Sequence, residues 1–246
     1  MNTYGLIGKK LSHSFSKKYF TEKFQREHIA HSRYELFELP SIEHFTTLVT
    51  NNPSISGLNV TIPYKQEIIP FLDDLDELAF KIGAVNVIKF YSDGKKRGFN
   101  SDCIGFSQSL TNFLPHTNLK ALVLGTGGAA KAVMVALETL NIPYQLVSRT
   151  PKPELQSITY EEISSNTLKI HQLIINTTPL GMYPNTEAKP TLPYASLSNE
   201  HYLYDLVYNP KQTAFMQQGI LAGAQVKNGI EMLHLQAEAA WEIWNR

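Results

Sequence analysis

Residues 119–137, LKALVLGTGGAAKAVMVAL, decide the fold predicted for this chain. Residues 121–124 form an apolar run of the length of one buried strand, glycines follow at once, and residues 129–140 have the composition of a helix. A strand that enters a helix through glycines leaves backbone N–H groups without a partner inside the helix. These donors and the helix dipole favour a phosphate. The spacing G-x-G-x-x-A therefore predicts a dinucleotide-binding loop, and an ordinary glycine-rich turn is the alternative. The candidate cofactor-binding residues are Gly125, Thr126, Gly127, Gly128 and Ala129.

Composition limits the partners that this chain of 246 residues can have. Lysine plus arginine and aspartate plus glutamate both number 22, so a zero formal charge gives no support for nucleic acid or an anionic membrane as a partner. The single cysteine, Cys103, cannot form an intrachain disulfide and fits a reducing compartment. We see no leader-like apolar segment and no run of about 18 apolar residues, and we therefore expect a cytoplasmic protein without a membrane span.

The strand after the glycine unit indicates which dinucleotide binds. Residues 144–147 form this second strand, and Ser148, Arg149 and Thr150 follow it. In a dinucleotide-binding fold this position faces the adenosine ribose, where an acidic side chain would accept the 2′-hydroxyl of NAD. The chain has no acid there, and a guanidinium suits a 2′-phosphate, so Arg149 favours NADP(H) over NAD. The alternative is a surface arginine without a ligand.

Three hydroxyls and a histidine stand where the first strand meets the first helix. We predict the strand over residues 3–7 and the helix from Ser16 to about residue 26, with Ser12, His13 and Ser14 between them. One serine is enough to cap a helix, because serine is a preferred N-cap residue. Two hypotheses stay open: capping alone, or hydroxyl donors that converge on a substrate carboxylate.

The third strand of the front half carries an amide and a hydroxyl on one face. Residues 55–62 alternate so that Asn59 and Thr61 point to the same side, and Lys65 follows after Pro63. Strand–helix–strand order predicts parallel pairing, which brings Lys65 and the first-strand hydroxyls to one crevice at the strand ends. The alternative is an edge strand with a solvated face and a surface lysine.

Two further segments of the front half contain candidate site residues. The four acids within residues 71–80 could bind a divalent metal, but a solvated helix face is the favoured prediction, and we expect no metal. Residues 83–90 and 95–99 predict a β-hairpin, in which Asn86 needs a polar partner because an unpaired buried amide costs about 1–3 kcal/mol. Asp102 begins the next helix, as a cap or as a functional carboxylate.

Eight sequence blocks, in order along nearly the whole chain, resemble the shikimate dehydrogenases. They are SHSFS at 12–16, GLNVTIPYK at 57–65, GAVN at 83–86, NSD at 100–102, GTGGA at 125–129, NTTPLGM at 176–182, DLVYNP at 205–210, and NGIEML at 228–233 with Gln236. Two positions depart from the usual family pattern. Lys17 stands where a proline is usual, and the adenosine loop reads Ser-Arg-Thr instead of Asn-Arg-Thr, with Lys152 as the nearby second base.

The resemblance implies an activity and a role for each matching residue. The activity is the reversible, NADPH-dependent reduction of 3-dehydroshikimate to shikimate in chorismate and aromatic amino-acid biosynthesis. Lys65 and Asp102 would form the catalytic pair. The substrate would be bound by Ser14, Ser16, Thr61, Asn86, Tyr208 and Gln236, to which the third-strand pattern adds Asn59. Leu206 and Gly229 would lie beside the nicotinamide.

The resemblance also implies a two-domain architecture. We expect an α/β fold in which an N-terminal α/β substrate domain and a Rossmann-like dinucleotide-binding domain are separated by an interdomain cleft. The substrate domain would comprise residues 1–101 plus 230–246, and the NADP-binding domain residues 102–229. The protein would act as a monomer or a homodimer. Two alternatives remain open: an NAD-dependent quinate/shikimate dehydrogenase, and a non-catalytic shikimate-binding regulator, which should lack Lys65 or Asp102.

Overall fold

The computed structural model describes residues 1–11 and 14–246, which divide into two units. The first unit comprises residues 1–101 and 237–246, and the second comprises residues 102–236. Residues 230–236, which the predicted division assigns to the substrate domain, group with the second unit. Ser12 and His13, which belong to the predicted strand–helix junction, lie outside the described residues.

The first unit is built on a mixed sheet of six strands. Its elements are β1 (Asn2–Gly8), α1 (Phe15–Arg26), β2 (Ser32–Glu38), α2 (His44–Asn51), β3 (Ile55–Val60), β4 (Asp74–Leu75), α3 (Glu77–Ile82), β5 (Val87–Phe90) and β6 (Lys96–Phe99). The strand order is β2-β1-β3-β5-β6-β4. β1 pairs in parallel with β2 and β3, as predicted, and the predicted hairpin of β5 and β6 is antiparallel. β5 is also antiparallel to β3, so the end of β3 and the start of β5 meet at one edge.

Apolar side chains on both faces of this sheet explain why it forms. Ile7, Leu58 and Ile88, from β1, β3 and β5, are fully buried in one core cluster with residues of α2. Full burial of such a side chain is worth about 1.5–3 kcal/mol. The last turns of the chain pack on the same unit, where the indole N–H of Trp244 donates to the carbonyl oxygen of Ile88 over 3.0 Å.

The acidic segment at residues 71–80 is not the single helix face that the sequence indicates. Asp74 and Leu75 form β4, which pairs with β6, and Asp76 is the N-cap of α3. Asp76 Oδ1 accepts from the backbone N–H of Ala79 at 2.8 Å, so this acid satisfies a helix terminus and does not belong to a helix face. Among residues 1–11 and 14–246 there is no group of three or more His, Cys, Asp or Glu side chains that could hold a metal ion.

The second unit is built on a sheet of six parallel strands. The chain from Ser101 to its end forms α4 (Ser101–Phe113), β7 (Ala121–Leu124), α5 (Gly128–Thr139), β8 (Tyr144–Ser148), β9 (Ile158–Thr159), α6 (Ser165–Ile170), β10 (Leu173–Asn176), β11 (Tyr202–Asp205), α7 (Ala214–Leu221), β12 (Gln225–Lys227) and α8 (Ile230–Asn245). The strand order is β12-β11-β10-β7-β8-β9, and every neighbouring pair is parallel. The predicted α/β fold with a Rossmann-like sheet is confirmed.

The order of this parallel sheet reverses between β7 and β10. β8 and β9 lie on one side of β7, and β10, β11 and β12 lie on the other. In open α/β sheets, ligands bind outside the carboxyl ends of the strands at such a reversal. Leu122, Ile174 and Leu203 are fully buried and form the core beneath this edge. No helix in the described part of the chain has both the length and the apolar character needed to cross a membrane.

Candidate active site

A chain of hydrogen bonds joins four buried side chains across the first unit. The hydroxyl of Tyr34 donates to Asn59 Oδ1 over 2.7 Å, and Asn59 Nδ2 donates to the carbonyl oxygen of Asn86 over 3.3 Å. Asn86 Oδ1 accepts from the backbone N–H of Ser101 at 2.7 Å, while Asn86 Nδ2 donates to Ser101 Oγ over 3.0 Å. None of the four residues is more than 6% exposed. The polar partner that Asn86 requires is therefore Ser101.

The two serines predicted to bind a carboxylate, Ser14 and Ser16, lie at the start of α1. Ser14 is the N-cap, because its Oγ accepts from the backbone N–H of Lys17 at 3.4 Å. A capping serine still has its own O–H to donate, so capping and carboxylate binding are compatible for Ser14. Ser16 hydrogen-bonds the phenol of Tyr34, which connects it to the buried amide chain. Burial raises the pKa of this phenol, and the bond to Ser16 lowers it by less.

The turn that carries Lys65 is fixed by its neighbours. The hydroxyl of the buried Tyr64 donates to the carbonyl oxygen of Leu39 over 2.6 Å and anchors the turn to the sheet. The backbone N–H of Val85 donates to the carbonyl oxygen of Lys65 over 2.7 Å. The half-buried Lys65 therefore lies beside the segment that leads into Asn86. The backbone of Lys65 is thus bonded to the residue that precedes Asn86.

Two of the predicted positions differ in their local structure. Thr61 lies one residue beyond β3, which ends at Val60, and its backbone N–H donates to the carbonyl oxygen of Ile7 over 3.0 Å. Asp102 lies in the first turn of α4, which begins one residue earlier, so it is not the cap. A carboxylate is favoured there by the helix dipole, and Asp102 is half-buried.

The glycine loop in the second unit has the form that the sequence predicts. Gly125, Thr126 and Gly127 connect β7 to α5, and Gly125 has a φ of +107°, which L side chains rarely adopt. A Cβ atom added at Gly127 or Gly128 would have no atom within 4 Å, so open space adjoins the N-terminus of α5. Gly127 caps α5 without a side chain, and Ala129 lies exposed in the first turn. Space and N–H donors together fit a pyrophosphate.

A buried carboxylate organises the ends of β10 and β11. Asp205 is fully buried, and its Oδ1 accepts from Asn176 Nδ2 at 2.9 Å and from the backbone N–H of Val207 at 3.0 Å. Asp205 Oδ2 accepts from the hydroxyl of Thr213 at 2.6 Å. Asn176 Oδ1 in turn accepts from the hydroxyl of Thr178 at 2.6 Å. Burial raises the pKa of Asp205 to about 6, although its three hydrogen bonds act in the opposite direction.

The two residues expected beside the nicotinamide touch each other. The backbone N–H of the buried Gly229 donates to the carbonyl oxygen of Val207 over 3.2 Å. A Cβ atom at Gly229 would overlap the carbonyl oxygen of Leu206, so only glycine permits this close approach. Tyr208, a predicted substrate-binding residue in the same loop, is 41% exposed.

A polar network holds the chain on either side of Gly229. Ser109 Oγ accepts from the hydroxyl of Tyr204 at 2.8 Å and donates to Glu231 Oε2 over 3.0 Å. Lys227 Nζ forms an ion pair with Glu231 and donates to the carbonyl oxygen of Ser109 over 3.1 Å. Burial acts to raise the pKa of Glu231, but hydrogen bonds from Lys227, Asn112 and Ser109 outweigh it and leave the pKa below its usual value. Further along α8, Gln236 Nε2 donates to the carbonyl oxygen of Leu233 over 2.9 Å.

The second unit places its candidate residues in the order that a dinucleotide requires. Arg149 directly follows β8 and is exposed, while Leu206 and Gly229 follow β11 and β12. The glycine loop follows β7, which lies between these strands in the sheet. A dinucleotide that binds across such an edge has its pyrophosphate in the middle and its two nucleosides on either side.

Comparison with known proteins identifies the family. A family model described as the shikimate dehydrogenase substrate binding domain matches residues 6–88. The shikimate dehydrogenase (NADP(+)) of Clostridium beijerinckii is 42% identical over 256 residues, which covers 99% of this chain and 92% of that protein. The chain belongs to the shikimate dehydrogenase (NADP(+)) family. Its similarity to this family therefore extends through both units of the fold.

Two solved structures illustrate the shared fold of the shikimate dehydrogenases. A chorismate mutase/shikimate 5-dehydrogenase fusion protein from Clostridium acetobutylicum is 38% identical, with a TM-score of 0.88 over 100% of this chain and 91% of that chain. Shikimate 5-dehydrogenase from Thermus thermophilus, solved in complex with NADP(H) and shikimate, is 27% identical. Its TM-score is 0.85, over 99% of this chain and 93% of that chain.

Sequence reasoning missed four polar residues that hold candidate site residues or loops, two in each unit. Tyr34 and Ser101 hold the amides of the first unit, and Asn176 and Asp205 hold the loops of the second. Three of them, Ser101, Asn176 and Asp205, lie inside the sequence blocks that resemble shikimate dehydrogenases. That membership is the one sequence signal that could have identified them, and Tyr34 has none.

Proposed function

We propose that this protein catalyses the reversible, NADPH-dependent reduction of 3-dehydroshikimate to shikimate, a step in chorismate and aromatic amino-acid biosynthesis. The observation that carries this proposal is the 42% identity to a shikimate dehydrogenase (NADP(+)) over 99% of the chain. In the proposal, the first unit binds the substrate and the second binds NADP(H). The enzyme would work in the cytoplasm as a monomer or a homodimer, without a nucleic acid or membrane partner.

The cofactor would be held by the edge of the parallel sheet. Bound NADPH supplies the hydride, and the protein orients the donor and excludes competing reactions. The backbone at Gly125, Thr126, Gly127, Gly128 and Ala129 would bind the pyrophosphate, since open space and N–H donors meet there. Arg149 would pair with the 2′-phosphate, and the close-packed backbone of Leu206 and Gly229 would support the nicotinamide.

The substrate offers one carboxylate and several ring oxygens. The hydroxyls of Ser14 and Ser16 would donate to the carboxylate, and Asn59, Thr61, Asn86, Tyr208 and Gln236 would bind the ring oxygens. The amide of Asn86 is already held by Ser101, so it would bind a hydroxyl without first losing side-chain freedom.

Lys65 and Asp102 would manage the single proton of the reaction. Hydride arrival at the C3 carbonyl leaves an alkoxide, to which the Lys65 ammonium donates a proton, giving the alcohol and a neutral amine. Solvent then reprotonates the amine. Asp102 would orient the ammonium and bind a neighbouring hydroxyl. In the oxidative direction the neutral amine of Lys65 accepts the proton.

A spectrophotometric assay tests the proposed function. Purified protein is mixed with shikimate and NADP⁺, and the appearance of NADPH is followed. Shikimate with NAD⁺, and quinate with either cofactor, are the comparisons. The proposal expects the highest kcat/KM for shikimate with NADP⁺. A higher kcat/KM for quinate with NAD⁺ would indicate the quinate/shikimate alternative, and no turnover at all would favour the regulator.

A further inference from the structure

Two serine hydroxyls contact each other across the connection from β8 to β9. Ser148 is the last residue of β8 and Ser157 directly precedes β9, and their Oγ atoms are 3.1 Å apart. Ser148 Oγ also donates to the carbonyl oxygen of Thr150, and Ser148 is only 5% exposed. The loop of residues 149–157 is therefore tied together at both ends.

Ser157 forms two hydrogen bonds with the backbone of Lys152. The backbone N–H of Lys152 donates to Ser157 Oγ over 3.0 Å, and the backbone N–H of Ser157 donates to the carbonyl oxygen of Lys152 over 3.3 Å. Pro151 and Pro153 flank the lysine, and each ring fixes its own φ angle. The two hydrogen bonds and the two proline rings therefore fix the position of the Lys152 backbone relative to the end of β8.

The loop contains two cations close together in the chain. Arg149 is exposed, Lys152 is half-buried, and Glu154 is the acid of the same loop. Over residues 1–11 and 14–246, neither Arg149 nor Lys152 takes part in an ion pair. A phosphate monoester carries about −1.5 to −2 charges at neutral pH, so a single guanidinium does not neutralise it. A second cation beside Arg149 would complete the neutralisation.

We propose that Ser157 is a positioning residue for NADP selectivity, because its hydroxyl holds Lys152 where the ammonium joins Arg149 on the 2′-phosphate. This inference rests on the proposed function, which supplies NADP(H) as the ligand. NAD lacks this phosphate, so removal of the Ser157 hydroxyl weakens binding of 2′-phosphorylated ligands alone. A merely structural role would weaken the binding of both kinds of nucleotide.

Calorimetric titration of the full chain with adenosine 2′,5′-bisphosphate and with 5′-AMP tests this selectivity without turnover. Ser157→Ala should weaken bisphosphate binding about fivefold to tenfold, as expected for one lost hydrogen bond, and leave 5′-AMP binding unchanged. Ser157→Thr keeps a hydroxyl and should restore the affinity. Ser164→Ala removes the N-cap hydroxyl of α6 in the same unit and is the matched control, with both affinities unchanged.

A double-mutant cycle tests whether Ser157 acts through Lys152. Adding Ser157→Ala to Lys152→Ala should weaken bisphosphate binding no further. Additive losses, or equal losses for the two nucleotides, would overturn the positioning role. Wild-type protein that binds the two nucleotides equally would instead overturn the NADP assignment, so the two failures are distinguishable. Ser148→Ala removes the other hydroxyl of the pair and answers the same question if Ser157→Ala does not fold.

Discussion

Asp205→Asn tests whether the second unit carries a charge that destabilises its own fold. Burial raises the pKa of Asp205 to about 6 in the folded protein, compared with 3.8 for an ordinary aspartate. The folded state therefore holds this proton more tightly than the unfolded chain, and ionisation of Asp205 favours unfolding. The difference between the two pKa values corresponds to about 3 kcal/mol of unfolding free energy once the carboxyl is ionised in both states.

The penalty has a defined pH window. It is absent below pH 3.8, where both states are protonated, grows as the pH rises towards 6, and is complete above that value. Proton linkage between pH 7 and pH 5 gives a gain of about 1.3 kcal/mol in unfolding free energy from this one group. Asparagine keeps the shape and an acceptor oxygen for Asn176 and Val207, but it has no charge to titrate.

Urea unfolding of wild type and Asp205→Asn at pH 5, 6, 7 and 8 measures this effect. The difference in unfolding free energy between the two proteins should move by about 1.3 kcal/mol in favour of wild type from pH 7 to pH 5. Thr213→Val removes a hydrogen bond that favours the charged carboxylate, so it should make the pH dependence steeper. A difference between wild type and Asp205→Asn that is the same at all four pH values would refute the reasoning.

Three substitutions test other parts of the site. Lys65→Ala should lower kcat about 10²–10⁴-fold with a modest change in KM, because the proton donor is lost. Lys95→Ala, at an exposed turn, is the control. An unchanged kcat in Lys65→Ala would remove Lys65 from the mechanism. Gly229→Ala should lower the unfolding free energy by about 1–3 kcal/mol, because the new Cβ overlaps a backbone carbonyl. Gly127→Ala is the control, because its Cβ meets open space, and its thermal unfolding should resemble that of wild type. Equal thermal stabilities of Gly229→Ala and Gly127→Ala would contradict the packing argument. Arg149→Ala should raise the KM for NADP⁺ about tenfold and leave that for NAD⁺ unchanged, and initial rates that show equal rises would rule out a phosphate contact.

The sequence predicts the parts of the fold whose signals are local. The apolar run, the glycines and the helix at residues 121–139 are confirmed as β7 and α5, because all three are adjacent in the chain. The hairpin of β5 and β6 is likewise confirmed from two strands that flank a short turn at residues 92–94. Parallel pairing follows from the alternation of strands and helices, since a parallel neighbour requires a crossover connection.

Contacts between distant residues explain what the sequence could not predict. Tyr34 reaches Asn59 because β1 pairs with both β2 and β3, and nothing near Tyr34 in the chain indicates that register. Asp74 lies in a strand because it pairs with Arg97 of β6. The sequence of the acidic segment does not indicate that partner. Asp205 is the last residue of β11, and only packing shows that its carboxylate has no solvent contact.

The donors around Asp205 explain why a carboxylate is buried at this position despite its cost. Its two oxygens accept hydrogen bonds from the side chains of Asn176 and Thr213 and from the backbone of Val207. An apolar residue would leave these donors buried and unpaired at about 1–3 kcal/mol each, which equals or exceeds the roughly 3 kcal/mol that ionisation costs. The Val207 carbonyl also accepts from the N–H of Gly229, so the same carboxylate fixes the backbone to which Gly229 is bonded. A charge that lowers stability therefore persists because no neutral side chain offers two acceptor oxygens that orient three segments of chain at once.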